Sequence, residues 1–192
     1  LNTELEAFKN CACEEMGDFV GQPYSAKVSG SRLVLKREGR VRQRERDLPV
    51  LIEKSFDLDP EEAVITVNYT LSNRSQEALN LCFGTELNVH ILGEFDIAYQ
   101  EILKSKQKLL TMKEEKVSAV IFKDIEHNLH ISMHFGPEAA LWVFPIETVS
   151  QSEEGFERIY QSTVVFPHWE LNLGASQSWQ MKLQKRIEEG IA

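Results

Sequence analysis

Residues 64–71, VITVNYTL, set Val64, Thr66, Asn68 and Thr70 on one side of the chain and Ile65, Val67, Tyr69 and Leu71 on the other. Alternation of a mostly polar row with an apolar row is the period of a β-strand that turns one face to a core. β-branched and aromatic residues fill most of the stretch, which suits a half-buried pleated surface. The same period returns at 83–91. There Phe83, Thr85, Leu87, Val89 and Ile91 form one face, and Glu86, Asn88 and His90 the other. It continues through 141–149, 158–166 and 178–183, and less cleanly through 32–36. Residues 117–122 and 129–135 flank 123–128, which reads as a hairpin connection. Turn chemistry separates the runs at Gly30 with Ser31, Asp59 with Pro60, 72–75, Gly136 with Pro137, Glu154 with Gly155, and 174–176. Roughly a dozen short strands, with no long helices between them, predict an all-β sandwich or barrel. At the N-terminal side, Leu1, Leu5 and Phe8 are spaced four and then three, which predicts a short helix within residues 1–16. The Lys-rich stretch 99–115 reads equally as helix or edge hairpin. No internal repeat or Pro/Gly/Ser linker divides residues 1–192, so one domain is expected.

Composition agrees. The chain has 192 residues, 42% hydrophobic and 27% charged, which argues for a packed domain rather than disorder. At this length about 70% of the unfolded surface can be buried, so no disulfide or metal staple is required. The net charge of −9 disfavours nucleic acid and anionic membrane surfaces as partners. The longest apolar run, 139–146, contains Pro145 and is too short to span a bilayer. Cys11, Cys13 and Cys82 form neither a CxxC pair nor a zinc-type set. Their odd number and spacing point to a reducing, cytoplasmic setting. The first residue is Leu1, and no basic and apolar leader follows it. A fragment of a longer polypeptide is therefore expected.

Four constellations invite chemistry. His127, His130 and His134 have an HxxHxxxH spacing. On a strand His130 and His134 share a face while His127 falls in the turn, with no evident completing ligand, so no metal is expected. Glu86, Asn88 and His90 offer a carboxylate, an amide and an imidazole along one strand face. They suit sugar hydroxyls, which both donate and accept, or an interdomain contact; the simpler reading is the hydrated face of an antiparallel strand. Arg40, Arg42, Arg44 and Arg46 alternate, and as one strand they would form a row of guanidiniums. Such a row needs facing carboxylates, from this acidic domain or from a partner. Of the three tryptophans, Trp142 and Trp179 suit a core, and Trp169 is expected to be partly exposed and able to stack on a sugar. No nucleophile elbow, phosphate loop or glycine-rich cofactor loop occurs, so neither a catalytic residue nor a cofactor is expected in this chain.

Three segments carry a resemblance. Residues 16–24, MGDFVGQPY, resemble a GDF-x-x-x-x-Y segment; residues 81–92, LCFGTELNVHIL, a strand with Phe, then Glu and Asn, then an apolar end. Residues 157–183, ERIYQSTVVFPHWELNLGASQSWQMKL, resemble an E-x-x-YQ-S strand followed by two Trp-containing strands across a Gly turn. In this order they resemble the C-terminal β-domain of glycoside hydrolase family 57, the α-amylase/4-α-glucanotransferase group, from Asp18 to Leu183. The resemblance implies a large antiparallel two-sheet sandwich of the galactose-mutarotase-like, supersandwich kind. It implies an intracellular α-glucan enzyme whose catalytic carboxylates lie upstream, on a catalytic barrel domain of the same polypeptide. The chain would then be a non-catalytic accessory domain, with the barrel and an α-glucan or maltooligosaccharide as partners. The alternative is an autonomous enzyme of the aldose epimerase type. That chemistry needs an acid and a base on opposite sides of a sugar ring, and Glu86 and His90 lie on one strand.

Overall fold

Alternation is realised in antiparallel strands throughout. The computed structural model describes residues 4–91, 95–99, 102–104, 111–152 and 155–190. After a short helix, α1 (Leu5–Lys9), come β1 (Ser25–Ser29), β2 (Arg32–Gln43), β3 (Arg46–Asp59) and β4 (Val64–Asn73). Next are β5 (Leu79–Gly84), β6 (Leu87–Val89), β7 (Phe95–Tyr99), β8 (Ile102–Lys104) and β9 (Met112–Asp124). Three long strands finish the fold: β10 (Leu129–Ser152), β11 (Gly155–Leu173) and β12 (Ser178–Glu189). Hydrogen bonding runs in the order β1-β2-β3-β4-β12-β10-β9-β7-β8, and β11 joins β10 to β5 and β6. This is a large antiparallel sandwich. Tyr69 of β4 and Trp179 of β12 meet Phe83 of β5, with ring centroids 5.5 and 5.8 Å apart, and Trp169 of β11 stacks on Phe83 at 6.3 Å. One hydrophobic cluster thus draws Val50, Ile52 and Leu71 together with Leu79, Leu81 and Val165.

The two layers are joined by β10. Its first part, up to Gly136, pairs with β12; from Ala140 onward it pairs with β11, and β9 flanks both parts up to Val143. The turn expected at Gly136 and Pro137 is therefore a change of partner within one strand. The peptide there is cis, and the register with β9 shifts beyond His134. The carbonyls of Pro137 and Glu138 accept hydrogen bonds from Trp169 Nε1, at 3.2 and 2.9 Å. An indole N–H so replaces part of the ladder that the crossing interrupts.

Several other expectations are corrected. Among the described residues of 1–16, from Glu4 onward, the helix runs only from Leu5 to Lys9; Leu1 lies outside them, and Cys11 takes a left-handed φ of 52° that ends the helical backbone. Five residues are too few for a helix stable by itself; Leu5 and Phe8 hold it by packing on Trp142, Phe144 and Val164. The four-arginine row does not form. Arg44 and Glu45 make the β2–β3 turn with φ of 49° and 63°, which puts Arg46 on β3. The Arg46 guanidinium forks onto the Glu77 carboxylate at 2.7 and 2.6 Å, while Arg37 reaches Asp18 at 3.1 Å. In the ambiguous stretch 99–115, the described residues form the edge hairpin β7–β8 and the start of β9.

The 83–91 strand is interrupted but not re-registered. Gly84 pairs with His168 and Leu87 with Val165, so the same offset holds on both sides of the gap. The break falls opposite Pro167, which has no N–H to donate; its carbonyl accepts the Thr85 N–H at 3.2 Å. Val89 and Ile91 are buried at 3% exposure each, and each is worth about 1.5–3 kcal/mol of burial. That pins Glu86, Asn88 and His90 to the outer face, since a one-residue slip would exchange the two faces.

Candidate functional site

The outer row is exposed and knitted to β11. Asn88 donates to Glu86 Oε1 at 3.1 Å and accepts from the Ser162 hydroxyl at 3.3 Å. His90 Nδ1 bonds the Gln161 carbonyl. A carbonyl only accepts, so Nδ1 carries the proton and Nε2 is left for another partner. The His90 ring stacks on Tyr160, with centroids 5.9 Å apart. Asn88 lies opposite Val164, and Val164 opposite Phe144, so the row shares its face with the aromatic cluster covered by α1. A Cβ on Gly84, beside this row, would collide with the Phe166 ring. Glycine there leaves room for the Phe166 ring, which meets Phe8 in a tilted pair, 4.2 Å between centroids.

Trp169 does not belong to the row. It is 6% exposed, and its ring faces the core between Phe83 and Trp179. Trp179 is the half-buried tryptophan. Its expected partial exposure after Pro167 and His168 is not met, because β11 carries Trp169 through on its inner face. His127 sits in the β9–β10 turn, where its ring and backbone N–H hold the Asp124 carboxylate at 2.9 and 3.1 Å. Among the described residues no three His, Cys, Asp or Glu side chains converge in a metal-binding group.

A cleft of about 580 Å³, which no pattern in the sequence marks, lies between residues 13–24, the inner faces of β3 and β4, and β5, and reaches Trp142 and Phe166 on the outer face. Its cover is built by the MGDFVGQPY segment. Asp18 accepts the Arg40 N–H at 2.7 Å and its N–H donates to the Arg40 carbonyl at 3.1 Å. A Cβ on Gly39 would strike Asp18 and Phe19, so glycine lets the segment lie close against β2. Met16, Phe19 and Tyr24 then pack onto the core. Lys54, Tyr69, Thr85 and Glu86 line the cleft, so Glu86 belongs to both cleft and row. Burial raises the Tyr69 phenol, although a hydrogen bond with Thr85 opposes it. Cys82, also on the lining, has its thiol pushed up to about 12 by burial and then by Glu170, which leaves it a poor nucleophile. No histidine lines the cleft among the described residues, so an imidazole does not face a carboxylate across it. The arrangement of ammonium, phenol, hydroxyl and carboxylate can hold hydroxyl-rich molecules.

The family model described as "Alpha-amylase/4-alpha-glucanotransferase, C-terminal" matches residues 1–183. An α-amylase of Dictyoglomus thermophilum is 32% identical over 133 residues, which cover 68% of this chain and 19% of that protein. The crystal structure of a 4-α-glucanotransferase from Thermococcus litoralis superposes with a TM-score of 0.71 at 22% identity, covering 96% of this chain and 26% of that one. A galactose mutarotase-like protein of Lactobacillus casei superposes with a TM-score of 0.57 at 11% identity, covering 86% and 73%. The chain thus spans 19% of the first of these relatives, and the fold is galactose mutarotase-like.

Proposed function

This chain belongs to the family of α-amylase/4-α-glucanotransferase C-terminal domains, and from that premise we propose that it is a single non-catalytic accessory domain of a glycoside hydrolase family 57 type enzyme. It packs against a catalytic barrel in the rest of the polypeptide and borders the α-glucan cleft through Glu86, Asn88 and His90. The observation that carries this reading is a shared face. In a C-terminal domain the catalytic part precedes it in sequence, and here the N-terminal helix α1 lies on the same outer face as Asn88. A domain preceding this one would then join it beside the polar row. Cys11, Cys13 and Cys82 are unpaired thiols, which supports a cytoplasmic setting.

The test compares this chain with the complete polypeptide. The 192-residue chain is expected to neither cleave nor rearrange maltooligosaccharides. Combined Glu86→Ala, Asn88→Ala and His90→Ala should change its stability by no more than about 1 kcal/mol per site, as exposed substitutions do. The same triple change in the complete polypeptide should lower glucan turnover. Unfolding of the chain by these changes, with turnover in the polypeptide intact, would make the row structural and sink the assignment.

A further inference from the structure

Lys54 breaks the pattern of its own strand. Val50, Ile52 and Phe56 share its face of β3 and pack into the core, so alternation carries an ammonium to a core-facing position. It makes no ion pair among the described residues; its Nζ instead lies 4.6 Å over the Tyr24 ring and 5.7 Å from the Tyr69 ring centroid. Burial lowers its pKa. A half-desolvated charge kept at a core-facing position violates the local pattern, and such violations gather at functional sites. The position opens onto the cleft that Tyr24 covers and Glu86 borders.

We propose that this cleft binds a short α-glucan chain, with a sugar ring stacked on Tyr24 and hydroxyls bonded to Lys54 and Glu86. The inference rests on the reading of this chain as a glucan-enzyme domain. The choice of ligand follows from the charges. Lys54 and Arg42 line the cleft together with Glu14, Glu15 and Glu86. An anion would face three carboxylates, and a cation would face two bases. A neutral polyol satisfies both kinds of group, because each hydroxyl donates and accepts. Aromatic faces supply the apolar surface that a sugar ring's C–H groups need. The volume of about 580 Å³ falls within the range of about 300–1,000 Å³ usual for small-ligand sites. Glu86 stands at the boundary, so a glucan leaving the cleft would pass directly onto Asn88 and His90.

Calorimetric titration of the whole 192-residue chain with maltotetraose tests this, beside Lys54→Met and Tyr24→Ala, with each variant's melting curve recorded. Saturable binding is expected for the unaltered chain. Each variant should bind about tenfold more weakly, the usual loss for one hydrogen bond to a charged donor or one stacking face. Tyr24 lies outside the sheet, so its variant keeps the test decisive if Lys54→Met unfolds the chain. Glucose 1-phosphate, the anionic probe, should bind no better than maltotetraose. No saturation up to the sugar's solubility limit, binding unaffected by both substitutions, or preference for the anion would each overturn the proposal. If maltotetraose fails to bind while the triple alanine polypeptide still loses turnover, the cleft is refuted and the accessory reading stands.

Discussion

His168 shows how one side chain carries the pH response of its surroundings. It is 7% exposed, with its ring 4.4 Å from Trp142 and stacked at 5.4 Å on Phe166. Burial lowers its pKa and outweighs the Phe166 carbonyl and the Glu115 and Glu170 charges, which raise it. The unfolded chain therefore takes up the proton first. The stabilisation is complete above the unfolded value of about 6.5 and drains away as pH falls toward the folded value. Melting temperature is expected to fall as pH drops below about 6.5, and to fall less in His168→Phe; equal slopes would show that another group carries the effect. Asp124 answers in a lower window. Burial pushes its carboxyl up, but hydrogen bonds from His127 and Glu126 overcome that and hold it below its ordinary value. Its contribution is present above the ordinary carboxylate range and is lost only as pH falls through the folded value. Asn73 has no charge to lose and is fixed more firmly. It is fully buried, sharing its two amide N–H groups among the carbonyls of Glu77, Leu173 and Gly174 and accepting from the Ser75 N–H and hydroxyl.

At the scale of elements, the β2–β3 hairpin holds an improvable turn. Arg44 and Glu45 both occupy left-handed backbone, which Asn and Gly adopt with less strain. Replacing the pair with Asn-Gly is expected to raise stability by about 1 kcal/mol, read from urea denaturation. A decrease would mean that the two side chains make contacts worth more than the relieved strain. This turn also marks where the sequence stops being legible. The long strands announce themselves because 67, 69 and 71, or 165, 169, 171 and 173, repeat apolar residues at period two. A reversal through Arg-Glu carries no such sign, so the arginines on either side read as one strand. Gly136 and Pro137 mislead in the opposite way: the dipeptide that marks a turn elsewhere here accompanies a partner change inside β10. Of the site, the Glu86, Asn88 and His90 row is readable because the apolar face behind it is so regular. The cleft is not, because Lys54, Tyr24 and Glu86 are brought together only by tertiary packing, and a lysine in an alternating strand reads as solvent-facing. Trp169 is misplaced for the same reason, since the carbonyls it satisfies belong to a distant strand.

In the whole molecule, sharing β10 between layers should make unfolding a single event. Trp169 and Trp179 report the inner core and Trp142 the outer cluster beneath α1. Tryptophan fluorescence and far-ultraviolet circular dichroism are expected to give coincident urea transitions; two separated transitions would show that the layers melt apart. The position of β12 adds a consequence in time. β12 lies between β4 and β10, pairing Ser178 with Ser72 and Leu183 with both Val67 and Phe135. It is nonetheless the last of these strands to leave the ribosome. Until it emerges, both neighbours present unsatisfied edges and an uncovered apolar face, the features that promote aggregation. A nascent chain is then most exposed to chaperones just before β12 emerges. A stalled or clipped product lacking those residues would lack the strand that holds the middle of the sheet, and would keep both edges open to other chains.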